Sequence, residues 1–404
     1  MEQGEFIQTP RGRANRLGHR RRRRIRLSID QSRLAKKGST SGADATLFDR
    51  EMRAQLEAQG RAALRGPTVL RIRFESDGGR PVPALHSLVK NYQDRLQDPG
   101  NAAARRVVRD DSQVDVLIAE LRRAAHTGVR AVAHPVRDLL DDLETAAAID
   151  IDIDNDPPDP FRLDSAQSRA EFYRDLALRE ADPARRAGLE LGEKLARAEL
   201  QTGLLQGGEQ IFSCALNCLD SSFPFQPFRA LLDNNPLLTD MPGVPTSPGE
   251  SAHFAAEVRQ RMARMASQHH WMVPLHIPVS LVIVYVPPSA CGSRDLDNVA
   301  RVLTKEFNAI FKPSLLRYTK DELTYLSSAK HLPDADKIFR PDLSFLSRAP
   351  TSIARYQAIR LPRRPSDPRE GYLGVTVGPA VVPDLLAQLD ARLDKWTDDL
   401  DSDW

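Results

Sequence analysis

The feature that most constrains this chain is an internal repeat. Moving the first half forward by 211 positions sets Val69 to Glu75 on Ser280 to Val286, one strand-like run on another. Without a gap, the same shift sets Leu85 on Leu296, Lys90 on Arg301, Leu96 on Phe307 and Arg106 on Arg317. It then sets Arg109 on Lys320, Asp110 on Asp321 and Asp111 on Glu322. Ile25 to Ile29 corresponds loosely to Ile211 to Leu216, and a helical pattern at Thr46 to Leu64 to one at about Gly249 to Gln268. Two copies of one α+β unit are therefore expected, folded as an intrachain pseudo-dimer. The expected divisions are a basic flexible tail over 1–23, a first unit over 24–145, an acidic linker and helical spacer over 146–207, and a second unit over 208–404.

Local patterns fill in each unit. Leu70, Ile72 and Phe74 alternate with Arg71 and Arg73, which reads as a half-buried strand. Val279 to Val286 is apolar throughout and reads as a buried one. Leu85 to Leu96 reads as a helix, and Val114 to Leu121 as a strand or the start of a helix. Between the units, Ala146 to Pro160 carries Asp150, Asp152, Asp154, Asp156 and Asp159 with no basic residue. It lacks the turn glycine and distal Glu of a calcium loop, so a solvated linker is expected. Helices are expected over Ser165 to Glu180 and Pro183 to Leu205. Leu385, Leu386, Leu389 and Leu393 give a closing helix one apolar face.

Composition excludes several classes. The 41% apolar content can supply cores, so wholesale disorder and a disulfide scaffold are ruled out. The most apolar stretch, Trp271 to Pro288, is broken by Pro274, Pro278 and Pro287, so it is no membrane helix. Three cysteines and a basic start without an apolar leader core point to a reducing, cytoplasmic setting.

The chemistry concentrates in the second unit. Arg294-Asp295-Leu296-Asp297-Asn298 follows the buried strand and a turn, and leads into an amphipathic helix, Val299 to Phe311, with Asp297 or Asn298 placed to cap it. Two carboxylates at i and i+2 can converge on a hard cation, which polarises a phosphodiester and lowers the pKa of an attacking water. Arg301 lies one turn beyond Asp297, in position to bind a phosphate oxygen. Lys320-Asp321-Glu322 offers a further acidic pair to complete the metal shell.

These residues resemble the RusA family of Holliday junction resolvases, small Mg²⁺-dependent endonucleases that act as homodimers on branched DNA. The family pattern is D-x-D-N-x-x-K, then an acidic pair and a Gln before a strand. In the second unit Asp295, Asp297 and Asn298 match, Arg301 falls on the lysine, and Glu322, with Asp321 beside it, falls on the third metal-binding aspartate. Arg for Lys is no neutral exchange, because Arg keeps its proton and offers a planar fork. In the first unit Lys90 and Arg109-Asp110-Asp111-Ser112-Gln113-Val114 match well, but Ala84, His86 and Ser87 replace the D-x-D-N residues. The resemblance therefore implies two tandem RusA-like units, the first degenerate. The second would be an endonuclease for branched or structured DNA, serving recombination and repair. It implies Mg²⁺, with Mn²⁺ as a substitute, held by Asp295, Asp297, Asp321 and Glu322, with Asp295, Asp297, Arg301 and Glu322 catalytic. One intact site would nick once per chain unless two chains self-associate. The competing expectation is a non-catalytic nucleic-acid-binding or assembly protein on a decayed nuclease scaffold.

Other candidates are secondary. The run Arg20, Arg21, Arg22, Arg23 and Arg24 is expected to contact nucleic-acid phosphates, with Arg294 and Lys90. Cys214 and Cys218 have a zinc-like spacing, but no second pair follows, and buried structural cysteines are expected instead.

Overall fold

Thr68–Ser76 buries both of its faces in part, and the strand that follows it in space extends the same sheet on each side. The computed structural model describes residues 8–38, 42–78, 80–97, 105–149, 160–206, 228–229, 238–244, 250–289, 295–311 and 351–402. Its strands are β1 (Ile25–Asp30), β2 (Thr68–Ser76), β3 (Val114–Arg123), β4 (Gly128–Pro135), β5 (Thr239–Met241), β6 (Val279–Val286), β7 (Ile353–Arg360) and β8 (Tyr372–Pro379). All eight belong to one mixed sheet in the order β1-β4-β2-β3-β7-β6-β8-β5. Reading inward from either edge gives the same steps. β1-β4 and β4-β2 are antiparallel and β2-β3 parallel; β5-β8 and β8-β6 are antiparallel and β6-β7 parallel. The halves meet at the antiparallel β3-β7 pair, where Ile118 faces Gln357. Each parallel pair has one register shift, between Thr68 and Val69 and between Val279 and Ser280, positions 211 apart.

Among the described residues there are nine α-helices: α1 (Pro10–Arg23), α2 (Gly42–Ala58), α3 (Leu85–Leu96), α4 (Val136–Ala147), α5 (Pro160–Arg179), α6 (Pro183–Leu205), α7 (Ser251–Gln268), α8 (Leu296–Ile310) and α9 (Leu385–Ser402). Strand alternation sorts them onto two faces. Leu70, Ile72 and Phe74 of β2, with Leu281, Ile283 and Tyr285 of β6, point toward α2, α3, α7 and α8. Val69, Val282, Val284 and Val286 point the other way, onto α1, α4 and α9. Hydrophobic burial on both faces is the main force holding the sheet. At the β1 edge, Gln55 of α2 and Gln59, just beyond that helix, take the place of a neighbouring strand. Their amides donate to the Ser28 and Arg26 carbonyls at 2.7 and 2.6 Å and accept from the same residues' N–H groups at 2.8 and 3.0 Å.

Several expectations change. The segment read as a flexible tail is helical over Pro10–Arg23, with Pro10 at its first turn and Thr9 accepting from the Gly12 N–H. Three arginines of the run, Arg20, Arg21 and Arg24, are anchored. Arg20 and Arg24 reach the buried Asp142 of α4 at 2.5 and 2.7 Å, and Arg21 pairs with Asp394 and Asp390 of α9. Arg22 and Arg23 are exposed. The acidic run from Asp150 to Asp159, the strand candidate at Ile211, and Cys214, Cys218 and Cys291 lie outside the described residues. By its place in the sheet, the counterpart of β1 is β5. Val114–Arg123 is a strand, and α6 and α9 fall where helices were expected. No helix among the described residues is long and apolar enough to cross a membrane.

Candidate metal centre

Three carboxylates converge where α3, α8 and the entry to β3 meet. Asp295 is the N-cap residue of α8, earlier than the Asp297 or Asn298 expected from sequence. Its carboxylate accepts no capping bond from the backbone. The Asn298 side-chain amide donates to it at 3.2 Å, which fixes its direction. Asp297 follows in the first turn and is 4% exposed. A helix N-terminus favours negative charge, so both carboxylates sit at the favourable end of α8.

The third carboxylate comes from the first half. Asp111 opens a short 3-10 turn, Asp111–Gln113, directly before β3. Its neighbour Asp110 caps that turn, accepting from the Ser112 N–H at 2.7 Å. Gln113 closes the box by accepting from the Asp110 N–H at 3.1 Å. Asp110 is thereby used for structure, and Asp111 remains for the site. Oxygens of Asp111, Asp295 and Asp297 lie within 4.8 Å of one another. Lys90, on α3, puts its ammonium 3.0 Å from Asp297 Oδ2, 3.6 Å from Asp111 Oδ2 and 3.2 Å from Asp94 Oδ1.

The electrostatics are those of a cation site. Burial pushes the Asp295 carboxyl up, and the charges of Asp111 and Asp297 push it further. Burial also raises Asp297, although Lys90 opposes the shift. Burial lowers Lys90, but Asp297 outweighs that and holds the ammonium above its usual value. Lys90 therefore stays protonated and works as a fixed cation. Neither oxygen of Asp297 has a well-formed hydrogen bond among the described residues; its close contact is the ion pair with Lys90. Lys90 meets Oδ2 alone, and a bound ion would satisfy Oδ1. Three carboxylates face one ammonium that Asp94 also shares, which leaves an excess of negative charge that a divalent cation would offset. An all-oxygen set suits a hard ion.

The predicted residues divide accordingly. Asp295 and Asp297 are together in the site. Lys90, expected as a nucleic-acid contact, joins them as their counter-charge. Asp321, Glu322 and Arg294 lie outside the described residues. Arg301 is exposed and makes no ion pair with Asp297 among the described residues; burial first, and then the charges of Arg301 and Lys305, hold the pKa of His86 on α3 below its usual value. The acid that sequence reasoning missed is Asp111. Its signal was the intact Asp-Asp-Ser-Gln step in the half that lacks the D-x-D pair. Compared with known proteins, the chain matches no family model, no curated protein and no solved structure.

Proposed function

We propose that the chain is two tandem RusA-like units folded as an intrachain pseudo-dimer, acting as a Mg²⁺-dependent endonuclease on branched or structured DNA. The mirrored strand pairings support the duplicated unit. So do matching helix starts. The Asn298 and Val299 N–H groups bond the Asp295 carbonyl at 3.1 and 3.3 Å, and 211 positions earlier Ser87 and Leu88 bond that of Ala84 at 2.9 and 3.2 Å. The spacing of 239 that carries Val114 of β3 onto Ile353 of β7 carries Ile118 onto Gln357, its own cross-strand partner. A pseudo-twofold axis would pass through that pair.

The observation that carries the functional reading is complementarity. The D-x-D pair retained in one half meets the acid and lysine retained in the other. The second half carries Arg301 in place of that lysine, and the described residues form one composite site.

A bound Mg²⁺ would polarise the scissile phosphodiester and lower the pKa of an attacking water. Asp111, Asp295 and Asp297 would hold it. Asn298 keeps Asp295 turned inward. Lys90 keeps the acids ionised before the ion arrives and offsets charge as it builds on the phosphate. A single composite site cuts one strand per chain, so paired cuts need two chains. The role would lie in recombination or repair.

The test incubates the protein with labelled four-way junction, fork and linear duplex, in Mg²⁺, Mn²⁺ or EDTA, beside Asp297→Asn. Metal-dependent cutting that the variant loses supports the assignment. Tight binding without cutting, equal in both proteins, would replace it with a non-catalytic binding protein.

A further inference from the structure

Asp111 stands on a three-residue turn, and such a turn aims a carboxylate only as well as its backbone is held. Asp110 and Gln113 secure the turn from within. A third hold comes from the other half of the chain. The carbonyl of Ser112, the residue after Asp111, accepts from Arg360 Nη1 at 2.9 Å, while the Ser112 N–H donates to Asp110 at 2.7 Å. Both backbone groups of the residue next to Asp111 are therefore fixed.

Strand register puts Arg360 there. β3 and β7 run antiparallel with Val116 opposite Ile359, so the next step outward sets Asp115 opposite Arg360. The two side chains pair at 2.8 Å, through the same Nη1 that holds Ser112. On its other side Arg360 is the last rung with Tyr285 of β6, and the Leu361 N–H donates to the Tyr285 carbonyl at 2.8 Å. β7 lies between β3, which Asp111 leads into, and β6, which leads toward Asp295 and Asp297. Arg360 is 9% exposed, so one buried guanidinium ties the turn to the strand that lies between the acids.

We infer that Arg360 is a positioning residue for the metal centre. It holds the Asp111–Gln113 turn at a fixed height against β6, and so sets the separation of Asp111 from Asp295 and Asp297. It acts through the Ser112 backbone; the oxygens that would take the ion are those of the three acids, within 4.8 Å of one another. A guanidinium suits the task because it keeps its proton and donates in fixed directions. This rests on the metal-dependent reading above, because only a shared cation makes that separation matter to function.

The test titrates Mg²⁺ into the full chain by calorimetry, well below the thermal midpoints measured in EDTA. Arg360→Met removes the donor, Arg360→Lys returns a cation, and Ile118→Ala loosens the same strand pair away from the turn. Arg360→Met is expected to bind Mg²⁺ at least about tenfold more weakly, the usual loss when a group that orients a ligand is removed. Arg360→Lys is expected to recover part of that affinity. Ile118 is 1% exposed opposite Gln357, so its truncation is expected to lower the midpoint and leave Mg²⁺ affinity within about twofold of wild type. Should Arg360→Met not fold, Asp115→Asn replaces it: that side chain is 24% exposed, and losing the ion pair is expected to weaken Mg²⁺ binding in the same direction. Wild-type Mg²⁺ affinity in the Arg360 or Asp115 variant, or an equal loss in Ile118→Ala, makes Arg360 a strand staple and overturns the inference while the metal centre stands. A wild type that binds no Mg²⁺ overturns the metal centre with it.

Discussion

Lys90 of the first half of the chain and Asp297 of the second lie 3.0 Å apart at the candidate metal centre. The Asp297 side chain is 2% exposed, so it depends on this ammonium for charge balance whenever no cation is bound. Lys90→Ala should therefore destabilise the metal-free protein by about 3 kcal/mol, because it strands a buried carboxylate. Added Mg²⁺ should recover part of that loss. The sign of the Lys90 shift agrees. Its raised folded value means that its stabilisation is complete below its ordinary value of 10.5 and is lost only as pH climbs through the higher folded value. Denaturant midpoints in EDTA and in Mg²⁺ measure both effects. Equal losses in the two conditions would separate Lys90 from the metal site.

Asp111→Asn should lower metal-dependent cleavage by about a hundredfold or more, as Asp297→Asn should, although the two acids come from different repeats. A single-turnover assay with excess enzyme measures this. If Asp111→Asn cuts normally while Glu322→Gln does not, the third ligand belongs to the second repeat, and the composite site is wrong.

Acidification should favour the metal-free fold over a defined window. Burial and mutual repulsion raise Asp295 and Asp297 above 3.8, so the folded chain binds more protons than the unfolded chain between 3.8 and the raised values. Stability falls as pH rises through that window, and the loss is complete above it. Mg²⁺ competes with those protons. The rise in thermal midpoint that Mg²⁺ gives should therefore be larger at about pH 8 than at about pH 5. A Mg²⁺ shift independent of pH would mean that the ion binds elsewhere.

Much of this was legible in the sequence. The 211-residue shift fixes the relation of β2 to β6 to the residue, including the bulge at Thr68 and Val279. It holds through the starts of α3 and α8, because an unbroken strand, turn and helix tolerates no insertion. It fails beyond α8. Asp111 lies three residues before β3, while its counterpart Glu322 lies 31 before β7, so the gapless match of Asp110–Asp111 to Asp321–Glu322 does not follow strand register. The composite site was hidden for a different reason. Motif spacing reports what one segment carries, not which segment faces it. Only the packing of α3 on α8 brings Lys90 to Asp297. The arginine run misled in a similar way. Charge read alone suggests a solvated arm, yet Leu17 is 1% exposed and Asp142 waits beneath the helix.

That arm leads to the last prediction. Asp142 is 1% exposed and receives Arg20 of α1 at 2.5 Å and Arg24, the C-cap of that helix, at 2.7 Å. Burial raises its pKa even though both guanidinium groups oppose the shift, so desolvation outweighs the pairing and the cluster is not strongly stabilising. Removing one side is another matter. Asp142→Ala leaves Arg20 with only the Thr145 hydroxyl and Arg24 with only Asp390, at a cost of about 3 kcal/mol. Arg20→Met with Arg24→Met strands the carboxylate instead, and Asp142 can escape by taking up a proton, so the loss should be smaller and should shrink on acidification. Deleting residues 1–23 should also lower the thermal midpoint, because it uncovers the apolar face on which Leu17 packs. A free, nucleic-acid-binding tail predicts the opposite pattern, with the midpoint unchanged and only affinity for DNA reduced. Denaturant unfolding of the three variants beside DNA titrations separates a structural clamp from a tail.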